Sequence, residues 1–446
     1  MKLSNLSNPF KRPIALKFAA IAIAVLLMQG GVAIAARHAG AKHAPAAAAA
    51  APAGEVEEGN TPTPSRRHGK HPAAPSIPLN QIHVFGDRPA PFALNARSAF
   101  LIDSQSGDVL YAYNEHDKMQ PASLAKMMTF YLTLEALKQK RIALDTQIPI
   151  SEAAWRLSLN DSVSRMFLQV GQRVDVKDLI YGLMVSSGND AAVALSEYLA
   201  GSTDAFADQM NKKAQEIGLA DTHFTNPDGL PSDNEYTTAA DMVKLGHSLV
   251  QHYPEALDYT STKEFTFDKI KQRNFNTLLF YDSRVNGIKT GHVAEAGFHL
   301  VASAASGDLK LISAVMGTPS MEKRRVETDK LLDWAFRTYT TVSPDWHKAA
   351  PDHLRVYKGS VDQVAIAPAG GTPYFTVGHG DETKMSLAAT IPQKWLVAPL
   401  PKGTEVGTLS IMIAGKPISS APLVTQADIK EGGIFHRMMD SLRLKL

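Results

Sequence analysis

Three short polar signatures stand far apart in the chain and in a fixed order. Ser123-Leu124-Ala125-Lys126 comes first, Ser187-Gly188-Asn189 follows 64 positions later, and Lys289-Thr290-Gly291 follows 102 positions after that. If S-x-x-K, S-x-N and K-T-G act together, the fold must carry a helix start, a tight turn and a strand to one place. A second S-x-x-K, Ser320-Met321-Glu322-Lys323, comes after the K-T-G and is preceded by Pro319; it reads as a surface turn.

The first copy sits in a different setting. Pro121 precedes it, and Met127, Met128, Phe130, Tyr131, Leu132, Leu134 and Leu137 follow, which predicts a buried helix starting near Ser123. On a helix, positions i and i+3 share a face, so Lys126 lies beside Ser123. A serine hydroxyl is a weak nucleophile until a base takes its proton. Burial disfavours the ammonium form of lysine, so Lys126 is the expected base and Ser123 the expected nucleophile.

Ser187-Gly188-Asn189 ends the apolar run Leu183-Met184-Val185 and reads as a tight turn. There the Ser187 hydroxyl is expected within reach of Lys126 as a proton relay, and Asn189 is expected to hold the substrate's amide backbone and Lys126. Lys289-Thr290-Gly291 reads as a strand. Lys289 and Thr290 would supply charge and hydrogen bonding near a substrate carboxylate, while Gly291 would let a ligand backbone approach. An edge strand here could pair with an extended peptide. His292 invites a Ser–His triad completed by Asp190 or Asp228, but S-x-x-K supplies its own base. His292 is instead expected to give its backbone N–H, with that of Ser123, to an oxyanion hole.

The chain has 446 residues and no cysteine, which removes disulfides and thiolate chemistry. No basic groove with interleaved aromatics occurs, so nucleic-acid binding is not expected. Residues 1–80 hold nine Lys/Arg against three Glu; the remainder holds 37 basic against 41 acidic residues. Lys2, Lys11, Arg12 and Lys17 precede the apolar Phe18 to Met28, and Ala33-Ile34-Ala35 resembles a signal-peptidase site. Residues 1–36 are therefore expected to be an export signal, or an anchor if retained. Residues 37–88, rich in Ala, Pro and His, are expected to be a disordered linker. Residues 89–342 are expected to form an α+β domain, an antiparallel sheet with helices on both faces and a helical subdomain. Ser98 to Asp103 with Val109 to Tyr113, and Gly297 to Ala304 with Leu309 to Met316, read as hairpins, and Glu327 to Thr338 as a closing helix. Short β-like runs punctuated by Pro and Gly then predict a small all-β, sandwich-like domain over 343–430. Residues 431–446 carry Ile434, Phe435, Met438, Met439 and Leu442 at helical spacing among basic residues, a possible membrane-interface helix.

Taken together, the motifs closely resemble those of the low-molecular-mass penicillin-binding proteins, the serine-type D-alanyl-D-alanine carboxypeptidases. The similarity extends to Pro121 to Thr129, Leu183 to Ala191, His223 to Leu230 and Gly287 to His292. It implies a transpeptidase-like fold and removal of the terminal D-Ala of peptidoglycan stem peptides through an acyl-enzyme on Ser123. It also implies covalent inhibition by β-lactams, no cofactor or metal, and a place on the periplasmic face of the inner membrane. The family uses an arginine for the substrate carboxylate; Arg324 is the candidate and Arg325 the fallback. A D,D-endopeptidase, a β-lactamase and a non-catalytic peptidoglycan-binding scaffold are the alternatives.

Overall fold

The computed structural model describes residues 81–444. The expected export signal and most of the expected linker lie outside them.

The runs that flank Ser104–Asp108 form the antiparallel strands Ser98–Asp103 and Val109–Tyr113, closed by a turn in which Gly107 takes φ +81°. The later hairpin is Gly297–Ser306 with Leu309–Thr318. Together with His83–Val84 and Val285–Val293 they make one six-stranded sheet. Its spatial order is 83–84, 109–113, 98–103, 309–318, 297–306 and 285–293, and every pairing is antiparallel. The K-T-G strand is therefore an edge strand.

Side chains alternate across this sheet, so each face has its own core. Leu101, Tyr111, Leu300 and Leu311 pack with Leu331 and Leu332 of the helix Met321–Thr338. On the other face, Ile102, Val301 and Ile312 pack against the helical part of the molecule, which includes Lys126–Lys138 and Ala239–His252. Lys126–Lys138 is buried along nearly its whole length, as an inner helix should be. The helices Glu152–Ser158, Val176–Met184, Asn189–Ala200 and Thr203–Glu216 complete the helical subdomain.

Ser320 is not part of a plain turn. It is the N-cap of the 321–338 helix, and its hydroxyl accepts the Lys323 N–H at 3.1 Å, satisfying an otherwise orphaned donor. The helix thus begins six residues before the expected Glu327. The expected linker also ends earlier than residue 88. Ile82 is buried in the sheet core, and His83–Val84 adds a strand against Ala112 and Tyr111.

Beyond residue 338 the chain is β-rich. Tyr339–Val342 pairs with Phe375–Gly378. A second six-stranded sheet runs in the order 385–390, 405–413, 416–425, 363–368, 353–357 and 395–397. The strand Lys416–Thr425 forms although Pro417 and Pro422 interrupt its pattern; it pairs with 405–413 and 363–368. Helix Ile434–Arg443 closes the described chain.

A buried polar knot joins the two parts. Asp103 Oδ2 accepts from Thr341 Oγ1 at 2.6 Å and Thr376 Oγ1 at 3.0 Å, and Asp103 Oδ1 accepts the Gln105 N–H at 2.9 Å. Asp108 adds bonds from Ser419 Oγ and the Thr376 N–H. Removing a buried acceptor leaves its donors unsatisfied, at roughly 1–3 kcal/mol. Asp103→Ala is therefore expected to lower the melting temperature by several degrees and to speed proteolysis around residues 338–345, measured against Asp145→Ala as an exposed control.

Candidate active site

The S-x-x-K serine lies at a change of helix type. Ala122–Ala125 is a single 3₁₀ turn, and the α-helix starts at Lys126. In 3₁₀ geometry residues i and i+3 eclipse one another, so the Lys126 side chain is stacked on Ser123. Lys126 Nζ is 2.8 Å from Ser123 Oγ and donates to Asp228 O at 2.7 Å. Lys126 is fully buried, and Ser123 is nearly so.

The turn is held between two other segments. Ala122, directly before the serine, has φ +50°, a region a non-glycine residue occupies only when its surroundings enforce it. On one side is the loop Asn226–Leu230, where Asn226 Oδ1 accepts the Gly229 N–H at 2.6 Å and Asn226 Nδ2 donates to Leu230 O at 2.9 Å. Gly229 has φ +78°, and a Cβ there would fall 1.9 Å from Ala122 O. On the other side is the K-T-G strand. A Cβ on Gly291 would lie 3.0 Å from Pro121 O and 3.3 Å from Ala122 Cβ. The segment that approaches Gly291 is thus the chain's own turn at Pro121–Ser123.

The second and third motifs meet directly. Ser187 has φ +56°, and its hydroxyl accepts from Lys289 Nζ at 2.9 Å; Lys289 Nζ also donates to Thr290 O at 3.0 Å. Asn189 opens the helix 189–200, and its N–H donates to Ser164 O at 2.9 Å. Its buried Oδ1 has no hydrogen-bond partner among the described residues. Thr290 is buried and pairs with Leu300 on the neighbouring strand.

The His292 ring stacks on Phe298 with centroids 3.8 Å apart. Asp190 is buried and accepts from Ser158 Oγ at 2.6 Å and from the Met166 and Leu168 N–H groups. Asp228 Oδ1 accepts the Leu230 N–H. Asp190 is thus committed to bracing the segment 158–168, and Asp228 to bracing its own loop. Arg324 is buried, donates to Phe275 O at 3.2 Å and sits 5.9 Å from the Phe298 ring centroid. Phe298 therefore lies beside both His292 and Arg324. Arg325 instead pairs with Glu322 at 2.7 Å and stacks on Tyr281, a surface arrangement.

Two buried ionisable groups near the site were not singled out from the sequence. One is His299, taken up below. The other is Glu235, whose carboxyl oxygens have no well-formed hydrogen bond, although the Thr225 N–H and the Asn226 amide favour its charged form. Burial, with the Asp228 carboxylate adding to it, pushes Glu235 up to about 8 against the pull of Lys126. Burial likewise raises Asp228, against the Lys126 charge. A glutamate in a run such as Asp233-Asn234-Glu235-Tyr236 reads as solvated loop, so nothing local marked it.

The fold is that of penicillin-binding proteins. Penicillin-binding protein 5 from Haemophilus influenzae superposes with a TM-score of 0.70 at 40% identity, covering 76% of this chain and 99% of that one. Penicillin-binding protein 6B from Escherichia coli gives 0.64 at 33%, covering 76% and 98%. Residues 86–320 match the D-alanyl-D-alanine carboxypeptidase family, and residues 339–431 match the C-terminal domain of penicillin-binding protein 5. D-alanyl-D-alanine carboxypeptidase DacC of Escherichia coli K12 is 40% identical over 357 residues, 79% of this chain and 89% of that protein. DacA of Haemophilus influenzae is also 40% identical over 357 residues. The chain belongs to the D-alanyl-D-alanine carboxypeptidase family.

Glu235 gives a test of this part of the site. Unfolded, its carboxyl titrates near 4.5; folded, near 8. Below 4.5 both states are protonated. Between the two values only the unfolded state releases its proton, so stability falls as pH rises through this window, by an amount on the order of a few kcal/mol. Glu235→Gln keeps the shape and cannot ionise. Melting scans from pH 5 to pH 9 should show the variant gaining several degrees on the parent across the window; parallel curves would contradict the buried, neutral carboxyl. Gly229→Ala, by contrast, should yield poorly folded protein at any pH, because its Cβ has no space beside Ala122 O.

Proposed function

We propose that this chain is a serine-type D-Ala-D-Ala carboxypeptidase, removing the terminal D-alanine from peptidoglycan stem peptides. The observation that carries this is the 2.8 Å contact between Ser123 and the buried Lys126, in a chain whose family carries that activity in its name. Ser123 Oγ attacks the carbonyl carbon of the penultimate D-Ala while Lys126 Nζ takes the hydroxyl proton. The N–H groups of Ser123 and His292 hold the oxyanion that develops. Because Lys289 donates to the Ser187 oxygen, the Ser187 hydroxyl proton is free to be directed elsewhere. Ser187 passes that proton to the leaving D-Ala nitrogen and takes in its place the proton that Lys126 removed from Ser123. Asn189 holds the substrate amide. Thr290 and Arg324, with the charge of Lys289, meet the terminal carboxylate, and Gly291 keeps the strand close to the serine. Water then hydrolyses the ester on Ser123. A β-lactam acylates the same oxygen, and its ring-opened product has no leaving group to diffuse away.

We also place the enzyme on the periplasmic face of the inner membrane, in cell-wall remodelling and the maintenance of cell shape. The helix Ile434–Arg443 supports this. Ile434, Phe435, Met438, Met439 and Leu442 form one exposed face, with Phe435 81% exposed. The opposite face is fastened to the β-rich region, where Lys358 N–H donates to Asp440 Oδ2 at 2.6 Å and His436 lies 3.5 Å from Asp362. A helix so arranged lies in an interface rather than across it, and no helix among the described residues is long and apolar enough to cross a membrane.

Incubation with a D-Ala-D-Ala-ended peptide should release one D-alanine per peptide. Ser123→Ala should release none, and replacing Lys126 should slow release by about 10²–10⁴-fold. Release from Ser123→Ala at the parent rate would sink the assignment. For the membrane arm, the full chain should co-sediment with vesicles containing anionic phospholipid. A chain ending at Gly432 but otherwise complete should sediment less; equal sedimentation would remove the helix from the account.

A further inference from the structure

His299 lies on the strand 297–306, directly opposite Gly291 of the K-T-G motif. It is fully buried, and no step above uses it. Its ring makes two main-chain contacts. Nδ1 accepts the Gly317 N–H at 2.9 Å, and Nε2 lies 3.2 Å from Gln120 O. A backbone N–H can only donate and a backbone carbonyl can only accept. The two contacts together therefore fix one tautomer, with the proton on Nε2 and the lone pair on Nδ1.

Both partners are special positions. Gly317 lies where the pairing of strands 297–306 and 309–318 slips, between Val315 and Thr318. A bulge of this kind frees a main-chain N–H from the ladder, and His299 accepts it. Gln120 lies three residues before Ser123, at the entry to the strained Ala122 turn. Cross-strand partners project to the same face of a sheet. Gly291, which has no side chain, and His299, which has a large one, thus together form the surface on which the nucleophile turn rests.

We propose that His299 is a positioning residue for acyl transfer: by joining the bulge at Gly317 to the carbonyl of Gln120, its neutral imidazole fixes the nucleophile turn against the K-T-G strand. This rests on the function proposed above. There, one oxyanion donor (Ser123 N–H) belongs to the turn and the other (His292 N–H) to the strand. Their separation depends on how the turn is seated, and His299 seats it. Buried and facing Arg324, His292 and Arg97, the imidazole is held well below its ordinary range, to about 3, which is consistent with a single neutral tautomer at working pH.

The test compares the parent with His299→Leu, which removes both bonds at similar bulk, and His299→Gln, whose amide carries one donor and one acceptor. Rapid mixing with a fluorescent penicillin separates initial binding from the acylation step, and the final amount of label counts competent sites. His299→Leu should slow acylation about 10–100-fold, the range expected when reacting groups are misplaced by about an ångström. Initial binding should change less than about threefold, and the final label per folded molecule should be unchanged. His299→Gln should recover part of the loss and remain several-fold below the parent. If the leucine variant does not fold, the glutamine variant decides alone. Parental acylation rates in folded variants would overturn the proposal, as would a loss confined to initial binding. Failure of the parent itself to label would refute the proposed function instead, and so the two failures are distinguishable.

Discussion

The site depends on how tightly the turn Pro121–Lys126 is enclosed. Gly229 leaves no space between the Asn226–Leu230 loop and Ala122, and Gly291 leaves little between the K-T-G strand and Pro121. Ala122 is pressed into a positive φ as a result. The cost of that conformation, of order 1–3 kcal/mol, is carried by the packing of a helix buried on nearly all sides. In return, Ser123 and Lys126 have essentially one relative placement. In the proposed reaction a nucleophile and base so held need little rearrangement.

The same enclosure explains the electrostatics. Lys126, Asp228, Glu235 and Lys289 are all removed from water within or around the site. A buried charge is tolerated only when paired or neutralised. Here Glu235 takes the neutral form, Lys289 is engaged by Ser187 and its own strand, and Lys126 is bound to Ser123 and the Asp228 carbonyl. The two lysines differ in surroundings although both are buried. Lys289 sits on a rigid edge strand beside a hydroxyl that it orients. Lys126 sits at the start of an inner helix, against the Ser123 hydroxyl.

Much of this was legible in the sequence because local patterns and the fold agree there. The hairpin 98–113 falls on the two β-forming runs that flank the Ser104–Gly107 turn signal, with one register shift between Leu101 and Ile102. The spacing of Ser123 and Lys126 needs only a helical turn, and the polar S-x-x-K, S-x-N and K-T-G signatures interrupt apolar segments where structure alone would not require them. What stayed hidden depends on long-range contacts. Glu235 looks like loop until residues 223–237 fold over it, and His299 looks like one polar residue in a strand until Gln120 and Gly317 arrive from elsewhere. Ser320 repeats the S-x-x-K pattern, yet its hydroxyl caps a helix, a difference visible only once its N–H partner is located. Pro417 and Pro422 hid a strand whose pairing is supplied by neighbours rather than by its own pattern. Gly291 was legible as a close-approach position, but not the identity of what approaches.

The central claim is that Ser123, in its enclosed turn, is the one nucleophile of the chain. Peptide mapping by mass spectrometry after brief exposure to a β-lactam tests it most directly, because the chain carries its own internal controls in Ser187 and the duplicate motif at Ser320. One adduct per molecule is expected, on the peptide bearing Ser123, with Ser187 and Ser320 unmodified. An adduct on either of those serines, or no adduct on a folded protein, would contradict it.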